Sequence, residues 1–281
     1  MGQLAEGDDV REAVANAICN ITRIEAGKRL MVTEGVRGVL VAMGTVCASD
    51  GVRVAVAGAI NNIHSAGLSE LAASKVRAVL VAMGTACGSD EARLLVALAI
   101  AKIAIVAADR PEVANVDVRN VLVAMGAACA NDAVREQVAD SIRRLAMQTD
   151  KPVMATAEVR NVLVAMGAAC ASDDVREGVA FAINHIAALP DGKLLMTTPA
   201  VRAVLVKMGT AGQTDAVRDG VAGAIRNVAS TPAGFRLMGV DEVRRVLVKV
   251  GSACWSDFAR EAVAGAIFNL AINGDPFSLE V

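Results

Sequence analysis

The sequence predicts an all-α solenoid, and the observations behind this prediction are two long strings that recur with one shared period. The string V-R-x-V-L-V-[AK]-[MV]-G occurs six times and D-x-[VA]-R-x-x-V-A-x-[AS]-I seven times, both at steps of 40 to 42 residues. Such a period is the signature of a repeat protein, in which each unit buries its apolar face against its neighbours. We therefore expect six to seven repeats. The first string begins at Val36, Val76, Val118, Val159, Val201 and Val243, and the second at Asp8, Asp50, Asp90, Asp132, Asp173, Asp215 and Asp257.

Both strings have the pattern of amphipathic helices. In the first string, apolar residues recur at i, i+3, i+4 and i+7, as in Val36, Val39, Leu40 and Met43. A polar residue and an Asp open the second string in six copies, as Ser49-Asp50 does, and offer an N-cap oxygen and a favourable carboxylate. The unit is therefore two longer helices preceded by a short one. The short amphipathic stretch is visible at 27–31, 192–196 and 234–238.

This three-helix unit resembles the armadillo repeat, whose helices are called H1, H2 and H3. The resemblance rests on the glycine before the second helix (Gly35), the V-L-V core of that helix and the A-I-x-N-I ending of the third. The D-x-V-R signature is also similar to HEAT repeats, which have two helices. The resemblance covers almost the whole chain and implies a right-handed superhelix with the H3 helices lining a concave groove.

The period predicts one armadillo-like repeat domain over 1–281. Met1-Gly2 stands ten residues before Arg11, as Met43-Gly44 stands ten before Arg53, so the sequence opens at the tail of an H2. Neither end has the polar cap that terminal repeats normally carry. We therefore expect a segment of a longer array, the alternative being a natural protein with incomplete end repeats. The units lie near 1–34 (partial), 35–74, 75–116, 117–157, 158–199, 200–241 and 242–281.

The resemblance also implies a binding surface, because an Asn near the end of H3 holds the backbone of an extended peptide in armadillo proteins. The matching column keeps Asn in four copies and is basic or titratable in the middle three, whereas the core columns hardly change. Four residues earlier, no copy has the Trp of importin-type members, which argues against nuclear-signal binding of that kind. The Asn column is Asn20, Asn62, Lys102, Arg144, His185, Asn227 and Asn269. The other groove candidates are Asp140 and Phe181 in the column four residues earlier, and Glu136, Glu177, Asp219 and Glu261 one turn further back.

These columns favour a protein-interaction scaffold that binds a partner peptide or protein along the groove. The alternative is a structural spacer, in which the Asn side chains bond only the backbone of the neighbouring repeat. An arginine three residues after each Asp, as in Arg11, predicts an Asp–Arg ladder that ties repeats together. The arginines that open H2, beginning with Arg37, form a stripe that could attract phosphates, but the net charge of −2 ranks nucleic acid last.

Composition excludes several other classes of protein. No apolar run reaches the roughly 18 to 20 residues of a transmembrane helix, and the first residues lack the pattern of a signal peptide. Five of the six cysteines share one column, beginning at Cys47, and are expected to be buried free thiols in a reducing compartment. With two histidines and no nucleophile, metal or phosphate-loop motif, we expect no enzyme, cofactor, metal or small-molecule substrate. We expect an intracellular protein, in the cytoplasm or alternatively the nucleus.

Overall fold

The computed structural model describes residues 7–64, 74–106, 115–147 and 153–272. All regular secondary structure in these ranges is α-helical, which confirms the predicted fold class. Contacts divide the chain into two compact units, Met1–Gln148 and Thr149–Val281. None of the helices in the described ranges is long and apolar enough to cross a membrane. The uninterrupted domain and the handedness of a superhelix stay predictions.

The first unit contains two layers of stacked helices. Its H3 helices are α1 (Asp8–Ile21), α4 (Asp50–His64), α6 (Asp90–Val106) and α8 (Asp132–Met147), its H2 helices are α3 (Glu34–Val46), α5 (Ser74–Ala86) and α7 (Val116–Ala128), and α2 (Glu25–Met31) is a short H1. Each H3 packs on the next H3 in the order α1, α4, α6, α8, and each H2 on the next in the order α3, α5, α7. The H3 layer and the H2 layer therefore run side by side through the unit.

The second unit repeats this arrangement. Its H2 helices are α9 (Ala157–Ala169), α12 (Pro199–Ala211) and α15 (Asp241–Ala253), its H3 helices are α10 (Asp173–Ala188), α13 (Asp215–Val228) and α16 (Asp257–Ile272), and its H1 helices are α11 (Pro190–Met196) and α14 (Pro232–Met238). The H1 helices in the described ranges coincide with the short stretches that the sequence singled out. We call the outward face of the H3 layer in each unit the H3 surface.

The start signals read from the sequence are the N-caps of the H3 helices. Ser49 Oγ accepts a hydrogen bond from the Val52 amide at 3.2 Å, and Asn131 Oδ1 accepts one from the Val134 amide at 3.0 Å. Such caps satisfy amides that the first helical turn leaves without a partner. The same bond recurs at Ser89, Ser172, Thr214 and Ser256.

Small residues let the helices approach closely. The core consists mostly of Ala, Val, Ile, Leu and Met side chains. In α12, a Cβ on Gly209 would lie 2.5 Å from Val246 Cγ1 of the next H2, far inside van der Waals contact. In α11, a Cβ on Gly192 would lie 1.8 Å from the carbonyl oxygen of Ile186, where H1 crosses the end of H3. Glycine at these positions is therefore required by packing.

The predicted Asp–Arg ladder exists with a different geometry. Arg53 Nη1 donates to Asp50 Oδ1 at 2.7 Å within one helix, so the arginine itself does not reach the next repeat. The other carboxylate oxygen, Asp50 Oδ2, accepts hydrogen bonds from the amides of Gly88 at 3.1 Å and Ser89 at 2.5 Å in the following repeat. We call this contact the aspartate link. Asp8, Asp90, Asp173 and Asp215 make equivalent links.

The aspartate link perturbs the carboxyl groups that form it. Burial alone would raise the pKa of Asp50, but the hydrogen bonds from Arg53, Gly88 and Ser89 outweigh burial and hold that pKa below its ordinary value. The pKa of Asp173 is lowered in the same way by the amide of Gln213 and by Arg176. The ionised aspartates therefore stabilise the contact between consecutive repeats.

Candidate functional site

A charged groove lies between α6 and α8 on the H3 surface of the first unit. It encloses about 280 Å³ and brings together four of the residues that the sequence selected, Lys102, Glu136, Asp140 and Arg144. The last three stand at i, i+4 and i+8 on α8, which places them on one ridge of that helix. The remaining lining residues are Leu98, Ala101 and Gln137.

The acidic groups of this groove already have partners within α8. Asp140 Oδ1 accepts from Arg143 Nε at 3.0 Å and Arg143 Nη2 at 2.5 Å, and Asp140 Oδ2 accepts from Arg144 Nε at 2.5 Å. Glu136 Oε1 accepts from Gln137 Nε2 at 3.0 Å. Asp140 is thus compensated by two guanidinium groups, whereas Glu136 adds a negative charge to the groove and Gln137, which bonds it, is neutral.

Lys102, unlike the acidic residues of the groove, has no bonding partner in the described ranges. Its half-buried side chain makes no ion pair and no hydrogen bond with any residue in the described ranges. A lysine ammonium group has three donors and no acceptor. The groove therefore offers unused donors on one wall, on α6, opposite a guanidinium on the other wall, on α8.

Where the column keeps Asn, its side chain joins neighbouring repeats. Asn62 Nδ2 donates to the carbonyl oxygen of Cys19 at 3.2 Å, and Asn269 Nδ2 donates to that of Arg226 at 2.8 Å. Asn227 Nδ2 donates to the carbonyl oxygen of Asn184 at 3.1 Å, and to its side-chain Oδ1 at 2.8 Å. In these three copies the Asn side chain therefore contributes to the contact between neighbouring repeats.

Where the column four residues before the Asn holds glycine, the preceding repeat covers it. A Cβ on Gly58 would lie 3.1 Å from Cys19 Sγ, and one on Gly265 would lie 2.6 Å from Arg226 Cδ. Gly223 is covered in the same way by the amide of Asn184. A large ring at these positions would displace the covering side chain, which agrees with the absence of Trp. Sequence reasoning missed these covering residues because no spacing within one helix reveals what the adjacent helix places over it.

The H3 surface of the second unit carries a different set of side chains. Phe181 and His185 stack on α10, with ring centroids 6.1 Å apart and planes inclined by 19°. On α13, burial raises the pKa of Asp219, nearby Arg226 lowers it and Glu261 of α16 raises it further. The predicted residues Glu177 and Asn227 lie on α10 and α13, while Asn20 is exposed on α1 of the first unit.

The cysteines of the shared column differ in their burial. Cys170 and Cys254 are buried, but Cys47, Cys87 and Cys129 are only half-buried, which corrects the expectation of uniform burial. Partial burial still raises the pKa of the Cys87 thiol to about 11, and the pKa values of Cys47 and Cys129 are raised for the same reason. No group of three His, Cys, Asp or Glu residues in the described ranges is arranged to hold a metal ion.

The arginines that open H2 contact the protein itself in the second unit. Arg160 Nη1 donates to the carbonyl oxygen of Leu195 at 3.5 Å, and Arg202 Nη1 to that of Leu237 at 3.4 Å. Each carbonyl lies near the C-terminus of the following H1, where a cation is favoured. These contacts assign the two arginines a role in holding H1, and they weaken the prediction of a phosphate-binding stripe.

Comparisons with known proteins identify the fold. No family model and no curated protein matches the sequence. A designed armadillo repeat protein is similar over 95% of this chain and 95% of its own, with 17% identity and a TM-score of 0.56. A second one, solved in complex with the peptide (KR)4, is similar over 90% of this chain and 99% of its own, with 16% identity and a TM-score of 0.60. Computationally designed armadillo repeat proteins for modular peptide recognition match with the same identity and coverage and a TM-score of 0.59. The chain therefore has the armadillo-repeat fold that its sequence resembles.

Proposed function

We propose that this chain is a non-enzymatic scaffold that binds an extended segment of a partner protein along its H3 surface. The α6–α8 groove is the observation that carries the proposal. In this groove the Asn column, which joins repeats in other copies, holds Lys102 and Arg144 instead. Both residues line a groove that can receive side chains. The pattern of variation supports it as well, because the core columns are nearly constant while the H3 columns differ from copy to copy.

The fold supports the same proposal. One structural neighbour is described as bound to the peptide (KR)4, and another as designed for modular peptide recognition. An extended peptide that crosses successive H3 helices would meet a different set of side chains in each repeat. Charged groups such as Lys102 in the first unit, or Asp219 in the second, would then fix the direction and register of a peptide bound there, because a ligand charge placed next to a like charge is repelled.

A structural spacer is the second candidate, and the Asn bonds favour it. Hydrogen bonds from the side chains of Asn62, Asn227 and Asn269 to backbone carbonyls of the preceding repeat stabilise the stack. A spacer needs those bonds but needs no ligand. The two candidates differ in one measurable consequence, because a spacer selects no peptide from a diverse library.

The test is a selection of random twelve-residue peptides by display on the full chain. An enriched peptide is synthesised with a photoreactive benzophenone side chain, crosslinked, and its attachment sites are mapped by mass spectrometry. We expect crosslinks on α4, α6 and α8, or on α10, α13 and α16. Crosslinks confined to the H2 helices, or a library from which nothing is enriched, would contradict the proposal.

A variant with two reversed charges on the H2 helices serves as the control. Lys75 on α5 and Arg245 on α15 are exposed, and neither pairs with another residue in the described ranges. The variant Lys75→Glu/Arg245→Glu changes the net charge without touching the H3 surface. It should select the same peptides as the wild-type chain.

A further inference from the structure

We propose that the α6–α8 groove binds an acidic side chain of the partner segment, with Lys102 and Arg144 as the groups that hold its carboxylate. This inference rests on the proposed function and specifies the chemistry of one position in the ligand. Two unrelated features of the structure lead to it. The first is that Lys102 does not form the bond to the preceding repeat that Asn forms at this position in other copies. The second is that both carboxylate oxygens of Asp140 are already bonded to arginines.

Lys102 occupies a position that joins repeats in other copies. Asn227 Nδ2 bonds both the carbonyl oxygen and the side-chain Oδ1 of Asn184 in the preceding repeat. Asn61 is the counterpart of Asn184 on α4, and the residue that should bond it is Lys102. Asn61 Oδ1 is buried and accepts no hydrogen bond from the described residues. A buried acceptor without a partner destabilises a protein by about 1–3 kcal/mol, so the lysine is retained at a cost to stability.

A residue that weakens the stack and leaves its own donors unused is characteristic of a functional position. Lys102 lines the groove together with Arg144. Only Nε of Arg144 is engaged in the described residues, by Asp140 at 2.5 Å, which leaves the two terminal nitrogens of its guanidinium as donors. A carboxylate between them would accept charge-assisted hydrogen bonds from both walls of the groove.

A cationic ligand would find no open carboxylate on Asp140. Both oxygens of Asp140 are already bonded to Arg143 and Arg144, so a lysine or arginine of the ligand would have to displace a guanidinium. It would also lie beside the ammonium of Lys102. The structural neighbour bound to (KR)4 has a cationic ligand, and at this groove we expect the opposite preference.

The groove is large enough to receive a side chain. Its volume is about 280 Å³, at the lower edge of the range that is typical of pockets for small ligands. Its apolar wall, Leu98 and Ala101, can pack against the methylene groups of a glutamate. The groove therefore suits one or two residues of a longer chain whose remaining contacts lie on the neighbouring H3 helices.

The test uses the random twelve-residue library against three proteins: the wild-type chain, Lys102→Glu/Arg144→Glu, and the control Lys75→Glu/Arg245→Glu. Both variants change the net charge equally, so a general electrostatic effect would appear in both. An enriched peptide is then synthesised with each Glu or Asp replaced by its amide, and dissociation constants are measured by fluorescence anisotropy. Circular dichroism verifies that each protein is folded. If Lys102→Glu/Arg144→Glu does not fold, the neutral variant Lys102→Gln takes its place.

We expect the wild-type chain and the control to enrich peptides with Asp or Glu at one fixed position. Amide replacement there, or the groove variant, should weaken binding at least about tenfold, as the loss of a charge-assisted contact does. If peptides bind and crosslink to the H3 surface but tolerate the amide or the groove variant, acidic recognition is wrong and the proposed function stands. The same conclusion follows if the H2 control loses as much affinity as the groove variant. If no peptide is enriched at all, both proposals fail.

Discussion

Replacement of Gly209 by alanine should destabilise the second unit, although alanine is the better helix former. Gly209 lies within α12, where a Cβ would stand 2.5 Å from Val246 Cγ1 of α15 and 3.1 Å from Val221 Cγ1 of α13. The valine cannot turn its methyl group away, because a β-branched residue in a helix is held in one strongly preferred rotamer. The added methyl group must therefore push α12 and α15 apart.

The magnitude follows from two opposing contributions. Alanine in place of glycine in a helix interior gains about 1 kcal/mol. Overpacking of a dense core costs about 1–3 kcal/mol, and a contact as short as 2.5 Å to a rigid partner belongs to the upper part of that range. The expected net loss is about 1–2 kcal/mol for Gly209→Ala.

Gly251 is the matched control at the same position of α15. A Cβ there would meet one side-chain atom, Val263 Cγ1, at 3.3 Å, a contact that a shift of a few tenths of an ångström relieves. Gly251→Ala should therefore leave stability unchanged or raise it by up to about 1 kcal/mol.

Urea unfolding, monitored by circular dichroism, gives the free energy of unfolding of Gly209→Ala, Gly251→Ala, Val246→Ala and the double variant Gly209→Ala/Val246→Ala. Because the clash needs both side chains, the glycine substitution should cost less in the Val246→Ala background, and the coupling energy should be about 1 kcal/mol or more. Equal costs in both backgrounds, or a stable Gly209→Ala protein, would refute the described contact between α12 and α15.

Three further predictions concern ionisable groups. The lowered pKa values of Asp50 and Asp173 stabilise the fold above their ordinary value of 3.8, and this contribution is lost as the pH falls through the lower folded-state values. The urea midpoint of the wild-type chain should therefore fall more steeply below about pH 4 than that of Asp50→Asn/Asp173→Asn. Burial raises the pKa of Asp219, so its contribution is largest at low pH and is lost as the pH rises through the folded-state value. Asp219→Asn should raise the midpoint at neutral pH and leave it unchanged in acid, whereas an equal effect at both would point to a cause other than ionisation. Since the pKa of Cys87 is about 11, its reaction with a thiol reagent at about pH 8 should be about two orders of magnitude slower than that of free cysteine, and equal rates would contradict its burial.

The features that the sequence predicted correctly are local ones. Apolar periodicity and N-cap residues determine where a helix begins and which face it buries, and both can be read within some 15 consecutive residues. This is why Ser49-Asp50 and its equivalents marked the H3 starts and why the stretch ending at Met196 was recognised as an H1. Four candidates that the armadillo resemblance selects line the α6–α8 groove, and their role in binding stays a prediction.

The features that the sequence missed depend on the register between stacked helices. Asp50 and Arg53 are three residues apart, so their pairing was expected, but nothing in that spacing reveals that Asp50 Oδ2 meets the amide of Ser89. The cover over Gly265 is another example, because the side chain involved, Arg226, lies in the preceding repeat. Contacts between repeats require the offset between helices, which the packing of the H2 and H3 layers decides.

Under the proposed function, stability and recognition compete in one column, and this competition yields a last prediction. Lys102→Asn would supply an amide donor opposite Asn61, whose Oδ1 is buried without a partner among the described residues. The bonds formed would be those that Asn227 makes to Asn184, at 3.1 and 2.8 Å. Satisfying a buried acceptor and adding a hydrogen bond should stabilise the first unit by about 1–2 kcal/mol.

The same substitution removes the ammonium group from the α6–α8 groove and should weaken an acid-dependent peptide at least about tenfold. Lys102→Ala is the control, because it removes the charge without supplying the donor. Lys102→Ala should bind the peptide as weakly as Lys102→Asn does, but it should gain no stability because it forms no bond to Asn61. Urea unfolding and anisotropy on the three proteins separate the two effects. If Lys102→Asn is no more stable than Lys102→Ala, the register between α4 and α6 is not that of α10 and α13, and the structural cost assigned to this lysine is wrong.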